Sequence, residues 1–126
     1  MSKRVLDSSA ILAAMLGEPG GALAGSMLAS GIVSTVNVAE VFSKLSEKGM
    51  LDEETVFDFR QLGLEIVDHD LEQAIKVAEL RPLTKHLGLS LGDRSCLALA
   101  ILRNATAITA DRSWTTLTLC RVESIR

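Results

Sequence analysis

The chain has 126 residues and a mass of 13.5 kDa, which is the size of one ordinary domain. Hydrophobic residues make up 48% and charged residues 23%, which excludes a disordered chain, because disordered chains are poor in apolar residues and rich in charge. The net charge of −3 argues against a protein that coats nucleic acid with a uniformly basic surface. We therefore expect a single domain over residues 1–126.

The cysteines and the apolar segments indicate the cellular compartment in which we expect this protein. Cys96 and Cys120 both lie in apolar stretches and are too few for a disulfide-stabilised secreted scaffold. Asp7 interrupts any signal-peptide-like apolar region, and no run reaches the ~20 apolar residues that span a bilayer. We expect a cytoplasmic protein with no membrane segment. Aromatic residues are only 3%, which argues against base stacking on an aromatic platform.

Short strands and helices alternate along the chain. A strand at 3–6 leads into a helix at 10–16, and a second helix is predicted at 21–30. A strand at 32–35 is followed by helices at 36–48 and 52–62, and a third strand at 64–67 by a helix at 70–80. The segment 83–89 suits either a short helix or an ordered loop. A buried helix headed by Asp93, a strand at 105–109 and a last strand at 119–124 complete the chain.

The helix at 70–80 has two specific expectations. Pro82 is predicted to mark its end, because proline lacks the amide hydrogen that a helix interior needs. The side chains predicted to face inward are Leu71, Ala74, Ile75, Ala78 and Leu80.

Alternating strands and helices predict an α/β fold with a mostly parallel sheet and helices on both faces. Ligands bind such sheets beyond the carboxyl ends of the strands. Asp7 follows the first strand and Asp111 the fourth, Glu40 lies one turn into the helix after the second strand, and Asp93 heads the most buried helix. We expect these four carboxylates to share one site.

Each carboxylate also has a purely structural interpretation. Asp7 suits a helix N-cap, and Asp93 suits the third position of a capping box led by Ser90. Asp111 suits a turn or the cap of a last short helix, and Glu40 suits a surface ion pair with Lys44, four residues on. Taken together, clustered carboxylates in apolar surroundings repel one another, and a divalent cation relieves that repulsion.

Oxygen-only ligands favour Mg²⁺ or Mn²⁺ over zinc or copper. Asp7, Glu40, Asp93 and Asp111 are therefore candidate catalytic and metal-binding residues, for one or two ions. Arg94 and Arg112 each adjoin one of these acids and are candidate phosphate or RNA contacts.

Four segments, in order along the chain, resemble the acidic motifs of PIN domains. They are Val5-Leu6-Asp7-Ser8-Ser9, Asn37-Val38-Ala39-Glu40-Val41, Leu91-Gly92-Asp93-Arg94-Ser95 and Ile108-Thr109-Ala110-Asp111-Arg112. At this chain length the pattern resembles the VapC toxins of VapBC toxin–antitoxin modules. One departure is Gly92, where the family often has a bulkier residue.

The resemblance implies a three-layer α/β/α sandwich with a five-stranded sheet in the order 3-2-1-4-5. It implies a Mg²⁺- or Mn²⁺-dependent endoribonuclease that cuts structured RNA, such as transfer or ribosomal RNA, to 5′-phosphate and 3′-hydroxyl ends. Asp7 and Asp93 would be the most direct metal ligands. Ser8, Thr35 and Thr109 would support them, with Asn37 as a weaker candidate.

The resemblance also implies protein partners: a VapB-type antitoxin, a homodimer, and a hetero-oligomer of toxin with antitoxin. The antitoxin would cover an apolar groove. The candidate groove residues are Met15, Leu16, Met27, Leu28, Phe57 and Phe59, although most of them are expected to be ordinary core residues.

Three alternatives stay open at this point. One is a PIN nuclease that processes RNA without an antitoxin, and another is a catalytically degenerate PIN domain that only binds a partner. The third is a phosphate-accepting receiver domain, although that fold needs an acidic pair after the first strand, and Ser8 follows Asp7 here.

Overall fold

The computed structural model describes residues 3–126 of the chain; residues 1 and 2 of the predicted domain lie outside the described part. The strands are β1 (Arg4–Leu6), β2 (Gly31–Ser34), β3 (Glu65–Val67), β4 (Thr106–Thr109) and β5 (Val122–Ser124). The α-helices are α1 (Ser8–Leu16), α2 (Gly21–Gly25), α3 (Thr35–Glu47), α4 (Glu53–Arg60), α5 (Leu71–Thr84) and α6 (Leu91–Leu102). Short 3-10 segments lie at Leu28–Ser30, Lys85–Leu87 and Arg112–Thr116.

The sheet has the strand order β3-β2-β1-β4-β5, and every pairing in it is parallel. This confirms both the predicted order and the parallel sheet. In the central pair, Leu6 of β1 lies opposite Ile108 of β4. The carboxyl ends of β1 and β4 therefore lie side by side, which brings the residues after each strand together.

Helices cover both faces of the sheet, as the α/β/α prediction requires. Leu6, Val33 and Ile108 project into one core, which includes Ile11 of α1 and Leu45 of α3. Neighbouring strand residues project to the opposite face, because side chains alternate along a strand. There Val5 and Ala107 pack with Val77 of α5, Leu97 of α6 and the buried Trp114.

Helix α5 turns a different face inward from the one predicted. Its buried side chains are Gln73, Val77, Leu80 and Thr84, whereas Leu71 is 75% exposed and Ile75 53%. Of the predicted inward residues only Leu80 is buried. The helix packs chiefly against α6, which selects the buried face. The Gln73 amide donates to the Asp68 carbonyl, at 2.9 Å, beside the start of the helix.

Pro82 does not end α5, which continues to Thr84. The proline is exposed, and the last turn is held by the buried side chains of Leu80 and Thr84. The Thr84 hydroxyl also donates to the Leu80 carbonyl, at 2.9 Å. The second predicted helix is likewise different, because α2 stops at Gly25 and only a 3-10 segment follows at Leu28–Ser30.

The predicted groove residues divide between the core and the surface. Met27, Leu28 and Phe59 are buried core residues, whereas Phe57 is 61% exposed; Met15 and Leu16 are half-buried. In residues 3–126, every helix is too short or too polar to cross a lipid bilayer.

Candidate functional site

Asp7 lies at the junction of β1 and α1 and is 4% exposed. Its Oδ1 accepts the Ala10 amide, at 2.9 Å, and so caps α1. Oδ1 also accepts the Ser9 hydroxyl, at 2.7 Å, and Oδ2 accepts the Thr109 hydroxyl, at 2.6 Å. The N-cap interpretation of Asp7 is therefore correct. A cap uses only one carboxylate oxygen and does not require burial, so the cap alone does not explain the surroundings of Asp7.

The hydroxyl beside Asp7 comes from Ser9 rather than from the predicted Ser8. Ser8 is the first residue of α1, and no hydrogen bond joins its side chain to the described part of the site. The Ser9 hydroxyl donates to Asp7 and accepts the Ala110 amide, at 2.9 Å. Both serines lie in the first turn after the Asp7 cap, so the local sequence does not decide between them; the contact of Ser9 with Ala110 does.

Thr109 links two of the predicted acids. Its hydroxyl donates to Asp7 and accepts the amide of Asp111, at 3.1 Å. The predicted proximity of Thr109 to Asp7 is thus present. Thr35 differs: its hydroxyl accepts the His69 amide, at 3.1 Å, and so tethers the loop after β3.

Burial raises the pKa of Asp7 from 3.8 to about 6. Hydrogen bonds from Thr109, Ser9 and Ala10 oppose this shift, and the negative charge of Asp93 adds to it. No ion pair within residues 3–126 includes any of the four candidate carboxylates. The charge of Asp7 is thus held by neutral donors in a poorly solvated place.

Glu40 projects from the first half of α3 toward the start of α6. Its Oε1 accepts the amide of Asn37, at 2.8 Å, and the same Asn37 nitrogen donates to the Gly92 carbonyl, at 3.0 Å. The expected pairing with Lys44 is absent, because Lys44 pairs with Glu47 instead. Glu40 is therefore directed to the site rather than to the surface of its own helix.

Asp93 and Asp111 both have their predicted structural roles. Ser90 and Asp93 form a capping box at the start of α6, in which Asp93 Oδ2 accepts the Ser90 amide, at 2.9 Å. Asp111 Oδ1 accepts the Ser113 amide, at 2.9 Å, and caps the 3-10 segment that follows β4. Asp93 is half-buried and Asp111 is exposed.

The negative charges of three of the four carboxylates raise the pKa of one buried thiol. The pKa of Cys96 is raised, first by burial and then by the charges of Asp7, Cys120, Asp93 and Glu40. Asp7, Glu40 and Asp93 are thus within electrostatic range of a common point beneath the site. Asp111 joins them only through Thr109.

The two candidate arginines lie in different surroundings. Arg94 is 7% exposed, and its Nη1 donates to the Val77 carbonyl, at 3.0 Å, so it joins α6 to α5. This buried contact does not favour the expected phosphate contact by Arg94, which stays a prediction. Arg112 is exposed, and its Nε donates to the Arg126 carbonyl, at 2.8 Å. Arg112 lines an open groove of about 610 Å³ with Ser9, Asp111 and Arg126.

The site suits a hard divalent cation in its chemistry and its charge. The donors are carboxylate oxygens, which Mg²⁺ and Mn²⁺ prefer. Burial is the main cause of the raised pKa of Asp7, with a smaller contribution from the charge of Asp93, and a bound cation would favour the ionised carboxylate against both. In the described part of the chain, no three acidic, histidine or cysteine side chains already converge as a metal-binding group. Asp7 and Asp93 each cap the first turn of their own helix in this structure.

Comparison with known proteins gives a family and a set of similar folds. The sequence model of the PIN domain matches residues 4–118. No curated protein matches the sequence at a significant level.

Several solved structures share the fold over almost the whole chain. A toxin–antitoxin complex from Klebsiella pneumoniae aligns with a TM-score of 0.79 at 17% identity, covering 98% of both chains. DNA-bound VapBC from Salmonella typhimurium aligns with a TM-score of 0.73 at 19% identity, covering 100% of both. FitAcB from Neisseria gonorrhoeae aligns with a TM-score of 0.75 at 22% identity, covering 97% of both.

Proposed function

Because the chain belongs to the PIN domain family, we propose that it is a Mg²⁺- or Mn²⁺-dependent endoribonuclease of the VapC toxin type. The observation that carries this proposal is the buried Asp7 carboxylate, which has no basic partner among residues 3–126. It lies at the carboxyl ends of β1 and β4, within range of the charge of Asp93. Such a carboxylate suits a cation-dependent reaction better than a purely structural role, because an isolated buried charge is costly.

In this proposal Asp7 and Asp93 hold the ion, and Glu40 and Asp111 complete the acidic cluster. A bound divalent ion would acidify a water and stabilise charge on the phosphate oxygens during in-line hydrolysis. Ser9 and Thr109 keep the Asp7 carboxylate oriented through the bonds to its two oxygens. Whether one or two ions bind is decided by a titration.

The groove beside Asp111 is the proposed path of the RNA backbone. Arg112 and Arg126 line it, and both are exposed. Arginine recognises phosphate through paired N–H donors. Since aromatic residues make up only 3% of the chain, we propose that shape and backbone contacts select a structured RNA, of the transfer or ribosomal class.

The proposed protein partner is a VapB-type antitoxin, as the solved toxin–antitoxin complexes suggest. An apolar groove of about 550 Å³ between α3 and α4 offers a surface for it, lined by Phe42, Leu51, Val56 and Phe57. An apolar helix face of the antitoxin would fit such a groove.

We also propose a homodimer, and with antitoxin a hetero-oligomer, in the cytoplasm. The exposed stripe of Leu71 and Ile75 on α5 supports the homodimer, because exposed apolar stripes commonly mark protein interfaces. The proposed domain extends over residues 1–126.

The test of the enzyme is cleavage of total cellular RNA by purified protein with Mn²⁺ or Mg²⁺. An EDTA sample and an Asp7→Asn variant are run beside it. We expect discrete, metal-dependent bands that EDTA and the variant abolish, with end-mapping supplying the target. Cleavage that is unchanged in EDTA would contradict the metal mechanism.

The same assay weighs the alternatives. A folded, antitoxin-free protein that cuts no RNA would favour the degenerate binding domain. An active enzyme that does not arrest growth when expressed alone would favour an RNA-processing nuclease. Labelling by acetyl phosphate would instead indicate a receiver domain.

A further inference from the structure

The Glu40 carboxyl group of α3 lies against Gly92 of α6. A Cβ atom at position 92 would collide with the Oε1, Oε2 and Cδ atoms of Glu40. Gly92 is buried within α6, and its φ lies outside the left-handed region. Its backbone therefore does not need glycine, and glycine inside a helix normally costs stability relative to alanine.

Asn37 joins Glu40 to Gly92 by hydrogen bonds. It is completely buried, and its Nδ2 donates both to Glu40 Oε1, at 2.8 Å, and to the Gly92 carbonyl, at 3.0 Å. Two acceptors on one nitrogen fix the orientation of the amide. Asn37 lies one turn before Glu40 on α3, so the two side chains lie on the same face of the helix.

The contact places Glu40 beside the residue after the glycine. Asp93 is in the first turn of α6, and the partial positive charge of that helix end favours a nearby carboxylate. A displaced Glu40 would leave Asp7 and Asp93 without the third carboxylate on this side of the site. The departure at Gly92 thus has a physical reason, which is space for Glu40.

We infer that Asn37 and Gly92 are positioning residues that hold the Glu40 carboxylate in the cation-binding cluster. Asn37 fixes the carboxylate through one oxygen, and the missing side chain at Gly92 leaves room for the group. This inference rests on the proposed function, because it assigns Glu40 to a divalent cation.

The test uses Gly92→Ala in two backgrounds, wild type and Glu40→Ala. In metal-free buffer, we expect Gly92→Ala to lower Tm in the wild type, where the added methyl group meets the carboxylate. The same change should raise Tm in Glu40→Ala, where the clash is gone and alanine favours the helix. Such a reversal of sign measures the coupling between the two residues.

The second measurement is Mn²⁺ affinity, by titration calorimetry. If Asn37 and Gly92 had only a structural role, their substitution would leave this affinity unchanged. We expect Gly92→Ala and Asn37→Ala each to weaken Mn²⁺ binding about 10- to 100-fold, as is usual when a group that orients a ligand is lost. Neither change should weaken it further in Glu40→Ala. Gly25→Ala is the matched control, because a Cβ at that position meets nothing within 4 Å.

The outcomes separate the two proposals. If the wild type binds Mn²⁺ and Gly92→Ala binds it equally well, or if its loss is the same in Glu40→Ala, the positioning role is wrong. If Tm falls equally in both backgrounds, the contact itself is wrong. If the wild type neither binds Mn²⁺ nor cuts RNA, the proposed function fails, and this inference fails with it.

Discussion

At the scale of single residues, Asp7 makes folding depend on pH. Its pKa is about 6 in the folded protein against 3.8 for the ordinary group, so between these values the folded state holds more protons than the unfolded one. The free energy of unfolding therefore falls as pH rises through this window, by about 3 kcal/mol in all, and Asp7 adds no further change above it.

Asp7→Asn removes this dependence, because the amide does not titrate. We expect the variant to match the wild type near pH 4 and to be more stable by up to ~3 kcal/mol at pH 7. Urea unfolding at each pH in metal-free buffer measures the difference. Asp58→Asn, at an exposed position, is the control. If the free energies of unfolding of the wild type and of Asp7→Asn differ by the same amount at every pH, the raised pKa of Asp7 is not the cause.

Thr109 gives a second prediction at this scale. Thr109→Val keeps the shape of the side chain but leaves one oxygen of Asp7 and the Asp111 amide without their partner. We expect a loss of about 1–3 kcal/mol in the free energy of unfolding. Thr118→Val, at an exposed threonine, should stay within about 0.5 kcal/mol. Equal effects of the two changes would show that the bond to Asp7 contributes nothing.

The candidate acidic residues could be chosen from the sequence, but their surroundings could not be predicted from it. Asp7, Asp93 and Asp111 stand at strand or helix ends, and such positions are visible in the pattern of the chain. The choice of Ser9 over Ser8, and the burial of Arg94, depend on how α1 meets β4 and how α6 meets α5. Those contacts join residues far apart in the sequence, so local patterns do not contain them.

At the scale of the elements, α5 shows why a correct helix can have an incorrect inner face. Its apolar residues occupy more than one stripe, and periodicity alone favoured the stripe of Leu71 and Ile75. Packing against α6 selects Val77 and Leu80 instead. The sequence thus predicted helix α5, whereas packing against α6 determines how α5 is rotated about its own axis.

A pair of leucines on α5 tests this rotation. Leu80 is 2% exposed and Leu83 is 53% exposed. We expect Leu80→Ala to lower the free energy of unfolding by about 2–5 kcal/mol, because it leaves a cavity in the core. Leu83→Ala should change it by less than about 0.5 kcal/mol. Chemical denaturation distinguishes them, and a larger cost at Leu83 would refute the observed face.

At the scale of the whole molecule, alternation of strands and helices was enough to predict a parallel sheet with two covered faces. The strand order was implied by the family resemblance rather than by the alternation, because alternation does not fix which strands are neighbours. The structure has that order, and it is the β1–β4 neighbourhood that joins the first and last acidic segments.

The exposed stripe of α5 gives a prediction about assembly. Leu71→Glu with Ile75→Glu adds charge to side chains that are 75% and 53% exposed, so the fold should persist. We expect the double variant to be monomeric by light scattering where the wild type is a dimer. Phe57→Glu, on the groove between α3 and α4, is the control and should leave the dimer intact. A dimer that persists in the double variant would place the interface elsewhere.

The bond between Thr109 and Asp7 joins residues 102 positions apart. Long-range contacts of this kind form late, because a long loop must close first. A ribosome that has released the first 100 residues has already supplied Asp7, Glu40 and Asp93, but not the strand that encloses Asp7. A growing chain therefore has these three acids before the strand that encloses Asp7, and we expect the proposed nuclease activity to begin only after β4 has been made.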